Sequence, residues 1–288
     1  MKKFTSLCVV LVMSLSLGAA LHLRSRSIAP DEASSRAFTH SAYVLKPIPA
    51  SAVHHRQSGG PNIRIAESTS ANWSGYAVPA PASSTFKDVK GSWTVPSVTA
   101  TKGGPAYSSI WVGLDGYANG TVEQIGTEQD WTGKTANYYA WFEMYPDYAY
   151  QIVGFPVNPG DKITAQVSFT GTDSSGNKVF TLTINNETTP TTFTVPASYT
   201  TSSAALLQSA EWIVEAPSSL RGVLPLANFG TAELSDCSAG FHDIGYFDGR
   251  GLDPLTMAAG KGRKSVVKAV PSPLNTANDG FTVTWQHQ

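Results

Sequence analysis

Cysteine is nearly absent from this chain: 288 residues carry two, Cys8 and Cys237. A disulfide framework and a cysteine-built zinc site are both excluded. Charge is also scarce, at 14% of residues with a net of −1. A nucleic-acid binder needs an excess of Lys and Arg to displace counterions, and no such excess exists. Beyond the first twenty residues no apolar run is long enough to span a bilayer. Histidine is rare past residue 66, where only His242 and His287 occur. That region has no H-E-x-x-H, no histidine pair and no G-x-S-x-G, so no metal site and no serine-hydrolase elbow is expected. What the chain does have is apolar surface, 41% hydrophobic and 10% aromatic, enough to collapse into a large core.

Three segments differ in chemistry. Lys2 and Lys3 precede an apolar run from Phe4 to Leu17, then Gly18-Ala19-Ala20. This order reads as a signal peptide over residues 1–20, so a secreted protein is expected, with no membrane association after its removal. Cys8 leaves with it. Residues 21–66 show no sustained strand or helix period, carry a net +4 and hold four of the six histidines. Residues 67–288 carry a net −7. A basic segment ahead of an acidic domain suggests a propeptide docked on it, or a plain N-terminal extension.

The domain from Glu67 onward reads as β. Tyr138–Tyr145 is rich in aromatics. Val179–Ile184 alternates Phe180, Leu182 and Ile184 against Val179, Thr181 and Thr183. Glu211–Glu215 sets Trp212 and Val214 on one face and Glu211, Ile213 and Glu215 on the other. Phe281, Val283 and Trp285 alternate near the C-terminus. Ala204–Ser209 has the composition for one helical turn. Many short strands between turn clusters predict an all-β, antiparallel two-sheet β-sandwich.

Few residues offer chemistry. Cys237 and His242, five apart in a Gly/Asp/Ser-rich stretch read as a loop, form a weak nucleophile–base pair. Asp243, Asp248 and Asp253 lack the spacing of a known calcium loop. Glu143 and Glu211 stand in aromatic strand patterns. There a buried charge is costly unless paired or set in a cleft that tunes its pKa. Val122–Trp131 crowds Glu123, Gln124, Glu128 and Asp130 together, with Gln124 pointing opposite to Glu123.

The ordered set of segments is more specific than any one of them. Asn72-Trp73-Ser74-Gly75-Tyr76, Gly91-Ser92-Trp93-Thr94-Val95-Pro96 and Trp111-Val112-Gly113-Leu114-Asp115-Gly116 come first. Gln124-Ile125-Gly126, Tyr139–Pro146, Ala210–Glu215 and Phe229–Cys237 follow. In this order they resemble the glutamic peptidases, the eqolisin family. The resemblance implies a concanavalin A/lectin-like jelly roll whose catalytic pair falls on Gln124 and Glu211. It places Trp111, Asp115, Asp130, Trp141 and Glu143 in the substrate cleft. It also implies protein or peptide substrates, no cofactor, inhibition by the chain's own propeptide, and a monomer. Two extra residues separate the Q-x-G from Asp130-Trp131, and Tyr139 stands where some relatives have an aspartate.

In the chemistry so implied, the Glu211 carboxylate takes a proton from a water that attacks the scissile carbonyl. The Gln124 amide faces the developing oxyanion. Hydrogen bonds to the charged form are expected to hold Glu211 low enough for work in acid. Two alternatives stay open. A glycoside hydrolase would need a second essential carboxylate in place of Gln124. A carbohydrate-binding module would use Trp73, Trp93, Trp111, Trp131 and Trp141 as stacking platforms.

Overall fold

A computed structural model of the chain describes residues 43–48, 68–100, 103–117, 119–219, 221–260 and 265–288. The signal-peptide segment and most of the basic extension lie outside them. No α-helix occurs among the described residues; two short 3-10 turns do, at Ala197–Tyr199 and Ile244–Phe247.

The strands in chain order are β1 (Val44–Pro47), β2 (Ser68–Ser70), β3 (Trp73–Pro79), β4 (Asp88–Thr94), β5 (Ser109–Leu114), β6 (Val122–Trp131) and β7 (Ala136–Tyr145). Then come β8 (Tyr150–Val153), β9 (Lys162–Thr172), β10 (Lys178–Asn186), β11 (Thr191–Thr194), β12 (Thr201–Ser202) and β13 (Ser209–Glu215). The last are β14 (Ser218–Ser219), β15 (Gly222–Val223), β16 (Thr231–Ala239), β17 (His242–Asp243), β18 (Asp253–Ala259), β19 (Val266–Pro271) and β20 (Phe281–Trp285).

They form two layers. The first runs β1–β8–β7–β6–β5–β13–β3–β18–β2, antiparallel throughout except for the β18–β2 pair. The second runs β11–β10–β9–β4–β16–β20–β19, and β19 pairs with β18 to join the layers. The expected antiparallel sandwich is what forms. Alternation explains the filling between layers. Ile110, Val112, Leu114, Ile125, Phe142, Trp212 and Val214 of the first layer meet Val89, Trp93, Ile163, Val167, Leu182 and Leu234 of the second. Two tryptophans lock the layers through their indole N–H groups. Trp93 donates to the Thr127 hydroxyl at 2.9 Å and Trp212 to the Lys90 carbonyl at 2.7 Å. A buried indole N–H needs such a partner, so each also fixes the relative placement of the layers.

Three local expectations are corrected. Residues 204–208 form no helical turn, because the backbone N–H groups of Leu206, Leu207 and Gln208 donate to the Asp115 carboxylate instead of to preceding carbonyls. Cys237 is not in a loop but buried within β16, where burial pushes its thiol up, while His242 is exposed and stacked on Tyr246. The basic extension is not wholly patternless, since Val44–Pro47 pairs with β8. Its four residues are too few for alternation to show, and the strand exists because β8 offers it an open edge.

Candidate active site

The first layer has a second face, away from the inter-layer core, and the sequence-predicted site residues gather there. The registers align them in rows. One row reads Glu143, Gln124, Gly113, Glu211, Ala77 across β7, β6, β5, β13 and β3. The next reads Trp141, Gly126, Trp111, Ile213, Gly75, and the one after it Tyr139, Glu128, Ser109, Glu215, Trp73. Asp130 follows on β6, opposite Asn137. Gln124 and Glu211 thus flank Gly113, two strand spacings apart, roughly 10 Å between backbones.

Gly113 keeps that gap open. A Cβ there would stand 2.9 Å from Trp111 Cζ3 and 3.2 Å from Gln124 Cβ. Gly126 has a different task. A Cβ on it would meet the Ile110 carbonyl oxygen at 2.2 Å and Trp111 Cβ at 2.6 Å, so glycine is required for β6 to pair this closely with β5. Trp111 then packs edge-on against Trp73, with centroids 5.0 Å apart. Its Nε1 donates to Glu215 at 2.8 Å, and Asn72 Nδ2 donates to the other Glu215 oxygen at 2.9 Å.

The Gln124 side chain is fixed by one bond, Nε2 to Glu143 Oε2 at 2.7 Å. Its second amide hydrogen is unused by that bond, and its own oxygen has no partner among the described residues. Neither oxygen of Glu211 has one. Both residues are fully buried in the intact chain. The expectation of a low Glu211 pKa is not met. Burial pushes it well above the usual carboxylate range; the nearby Ser209 hydroxyl pulls it back, and the charge of Asp115 adds to the rise. Glu143 is likewise raised, chiefly by burial and against the pull of Gln124. Asp130 is raised to about 7 by burial, with Glu128 and Tyr139 pulling it down.

Asp115 sits apart from these rows. It holds a left-handed backbone conformation, φ 68°, unusual for a residue with a side chain. Its carboxylate accepts four bonds, from Asn119 Nδ2 at 2.6 Å and from the N–H groups of Leu206, Leu207 and Gln208, each at 2.7 Å. It clamps the segment that leads into β13 and has no acceptor left for substrate.

Sequence reasoning assigned no role to Glu215, Asn72 or Gly113, which the structure brings to this site. Glu215 shares the Glu211 face by period two, and Asn72 heads the first motif, so both were findable. Glu123, on the opposite face, is a buried carboxyl raised by burial and by Asp115, with neither oxygen bonded among the described residues.

The comparisons identify the family. Residues 71–266 match the Peptidase A4 family. The chain belongs to that family, the eqolisins identified above from its motifs. Aspergillopepsin-2 of Aspergillus niger is 31% identical over 192 residues, 60% of this chain and 65% of its own length. Scytalidopepsin B of Scytalidium lignicola is 32% identical over 175 residues, 58% of this chain and 63% of its own. The chain thus spans just under two thirds of the curated relatives it matches. Scytalido-glutamic peptidase, solved with a transition state analog inhibitor, has the same fold: TM-score 0.57 at 22% identity, over 75% of this chain and 98% of that one.

Proposed function

We propose that this protein is a secreted endopeptidase that hydrolyses proteins in acid through Gln124 and Glu211. The observation that carries the reading is the shared row: Gln124 and Glu211 stand on either side of Gly113, with the edge of the Trp111 ring over that glycine. Water is the nucleophile. Glu211 as carboxylate takes its proton and returns it to the leaving amine. The free amide hydrogen of Gln124 meets the oxyanion, and being neutral it donates equally well in acid. Glu143 holds that amide in place. Trp111 and Trp141 wall the cleft beside the pair, and Asp130 lies further along it. No step requires a cofactor or a metal.

Glu211 is buried in the intact chain, and burial favours its protonated form. Access of solvent to the cleft lowers the desolvation cost and frees the carboxylate to act as base. This burial supports a latent form in which residues 21–66 are an inhibitory propeptide. Acid neutralises carboxylates of the acidic domain, weakens its attraction for the +4 segment and favours release.

The alternatives fit less well. The Glu143 and Glu211 backbones are three strand spacings apart, roughly 14 Å, and Glu143 is bonded to the Gln124 amide rather than paired with a second carboxyl as a glycosidase requires. Of the five tryptophans a sugar-binding module would use as platforms, Trp73, Trp93, Trp111 and Trp141 are buried and only Trp131 is partly exposed. The test is digestion of an unfolded protein in acid by wild type. Its failure in folded, acid-treated protein would remove the reading.

A further inference from the structure

Strand β1 lies ahead of the family-matched residues and occupies the edge of the catalytic layer. It pairs with β8, Val44 opposite Val153 through Pro47 opposite Tyr150, and the Ile48 N–H continues the ladder to the Ala149 carbonyl at 2.9 Å. That bond fixes which way each amide points. The N–H groups of Val44, Lys46 and Ile48 face β8, and those of positions 45 and 47 face outward. Proline at 47 therefore sacrifices no ladder bond, as edge-strand prolines must not. The same parity turns Val44, Lys46 and Ile48 onto the catalytic face. Ile48 is buried there in one apolar cluster with Trp111, Trp141, Tyr117 and Ala149. Continuing the β7–β8 register by one residue sets Ala149 beside Glu143. Ile48 therefore stands in the row that holds Gln124 and Glu211.

Among the described residues β8 pairs only with β1 and β7, so removing β1 opens an edge of unpaired amides and carbonyls. From the place β1 leaves to Gln124 is three strand spacings, roughly 14 Å, which about four extended residues cover. The edge is thus placed to hold a peptide chain whose next few residues reach the catalytic pair. We propose that the β8 edge is a docking strand for the substrate's main chain, taken in the intact chain by Tyr43–Ile48. This rests on the peptidase reading above. Main-chain pairing tolerates varied sequences, and an aliphatic residue is selected where Ile48 now sits. Substrates gain from extension on the N-terminal side of the scissile bond by about four residues or more.

The experiment uses the full chain after acid treatment, a long fluorogenic peptide substrate, and the synthetic hexapeptide with the sequence of Tyr43–Ile48 as competitor. The hexapeptide is expected to raise KM and leave kcat unchanged. N-methylation at the Ile48 nitrogen removes one inward donor and weakens inhibition about tenfold. N-methylation at Leu45, whose N–H points outward, changes it less than about twofold. Gln151→Pro deletes an N–H of β8 that faces the docked strand and leaves the β7 ladder intact. It raises KM for long substrates about tenfold, and the N-methyl pair decides the matter if this variant does not fold. Equal inhibition by both N-methyl peptides, or inhibition that is not competitive, in protein that cleaves substrate overturns the docking strand alone. No cleavage by wild type overturns the peptidase reading and this one with it.

Discussion

Gly113→Ala places one methyl group between Gln124 and Glu211, the pair proposed above to do the chemistry. The added Cβ would lie 2.9 Å from Trp111 Cζ3, 3.2 Å from Gln124 Cβ and 3.3 Å from the Glu123 carbonyl oxygen. The ring is wedged against Trp73, so it yields by tenths of an ångström at most. Overpacking of this kind costs about 1–3 kcal/mol, or roughly 3–10 °C in Tm for a domain of this size. The protein still folds. On the proposed mechanism activity suffers more, because the methyl crowds the Trp111 ring and Gln124 in the row where the reaction is placed, and a displacement near 1 Å costs on the order of a hundredfold. The assay is kcat for a fluorogenic peptide beside Tm by calorimetry. Gly126→Ala is the contrast: its Cβ would meet backbone at 2.2 Å, and folding itself fails. A folded Gly113→Ala protein with wild-type kcat would refute the placement of the reaction between Gln124 and Glu211.

Stability should rise in acid. Glu123, Glu128, Glu143, Glu211 and Asp130 are all raised, burial being the first cause of each. A raised carboxyl stabilises the fold fully below its unfolded pKa of about 4, and that contribution is lost as pH climbs through the folded value. For Asp130, moved from 3.8 to about 7, the loss is roughly 4 kcal/mol between pH 4 and 7. Urea midpoints from pH 3 to 7 check the sign; a midpoint that rises with pH contradicts it. Glu143→Ala should lower kcat about tenfold, with KM little changed, while Glu143→Gln keeps an acceptor for the Gln124 amide and restores most of it. Asp115→Asn leaves a single oxygen for backbone donors now shared by two, costing about 3 kcal/mol or more, visible as a lower Tm.

Alternation carried most of what was legible beforehand. It assigned the faces of β13, β10 and β20 because each buries one face against the opposite layer. It separated Gln124 from Glu123 because a strand must. Resemblance, not pattern, singled out Gln124, since a lone glutamine has no signature of its own. β1 stayed hidden because its pairing is with a distant strand. The Asp115 clamp stayed hidden because it depends on a left-handed residue meeting a loop ninety positions away. The full burial of Glu211 depends on distant strands packed around it, which no local pattern encodes.

Cleavage of an acid-denatured protein between pH 2 and 7 by wild type, Gln124→Ala and Glu211→Gln, each acid-treated and shown to be folded, tests the central claim most directly. The account predicts acid proteolysis by wild type, a loss of a hundredfold or more for Gln124→Ala, and no turnover for Glu211→Gln. Undiminished proteolysis by either folded variant would contradict it.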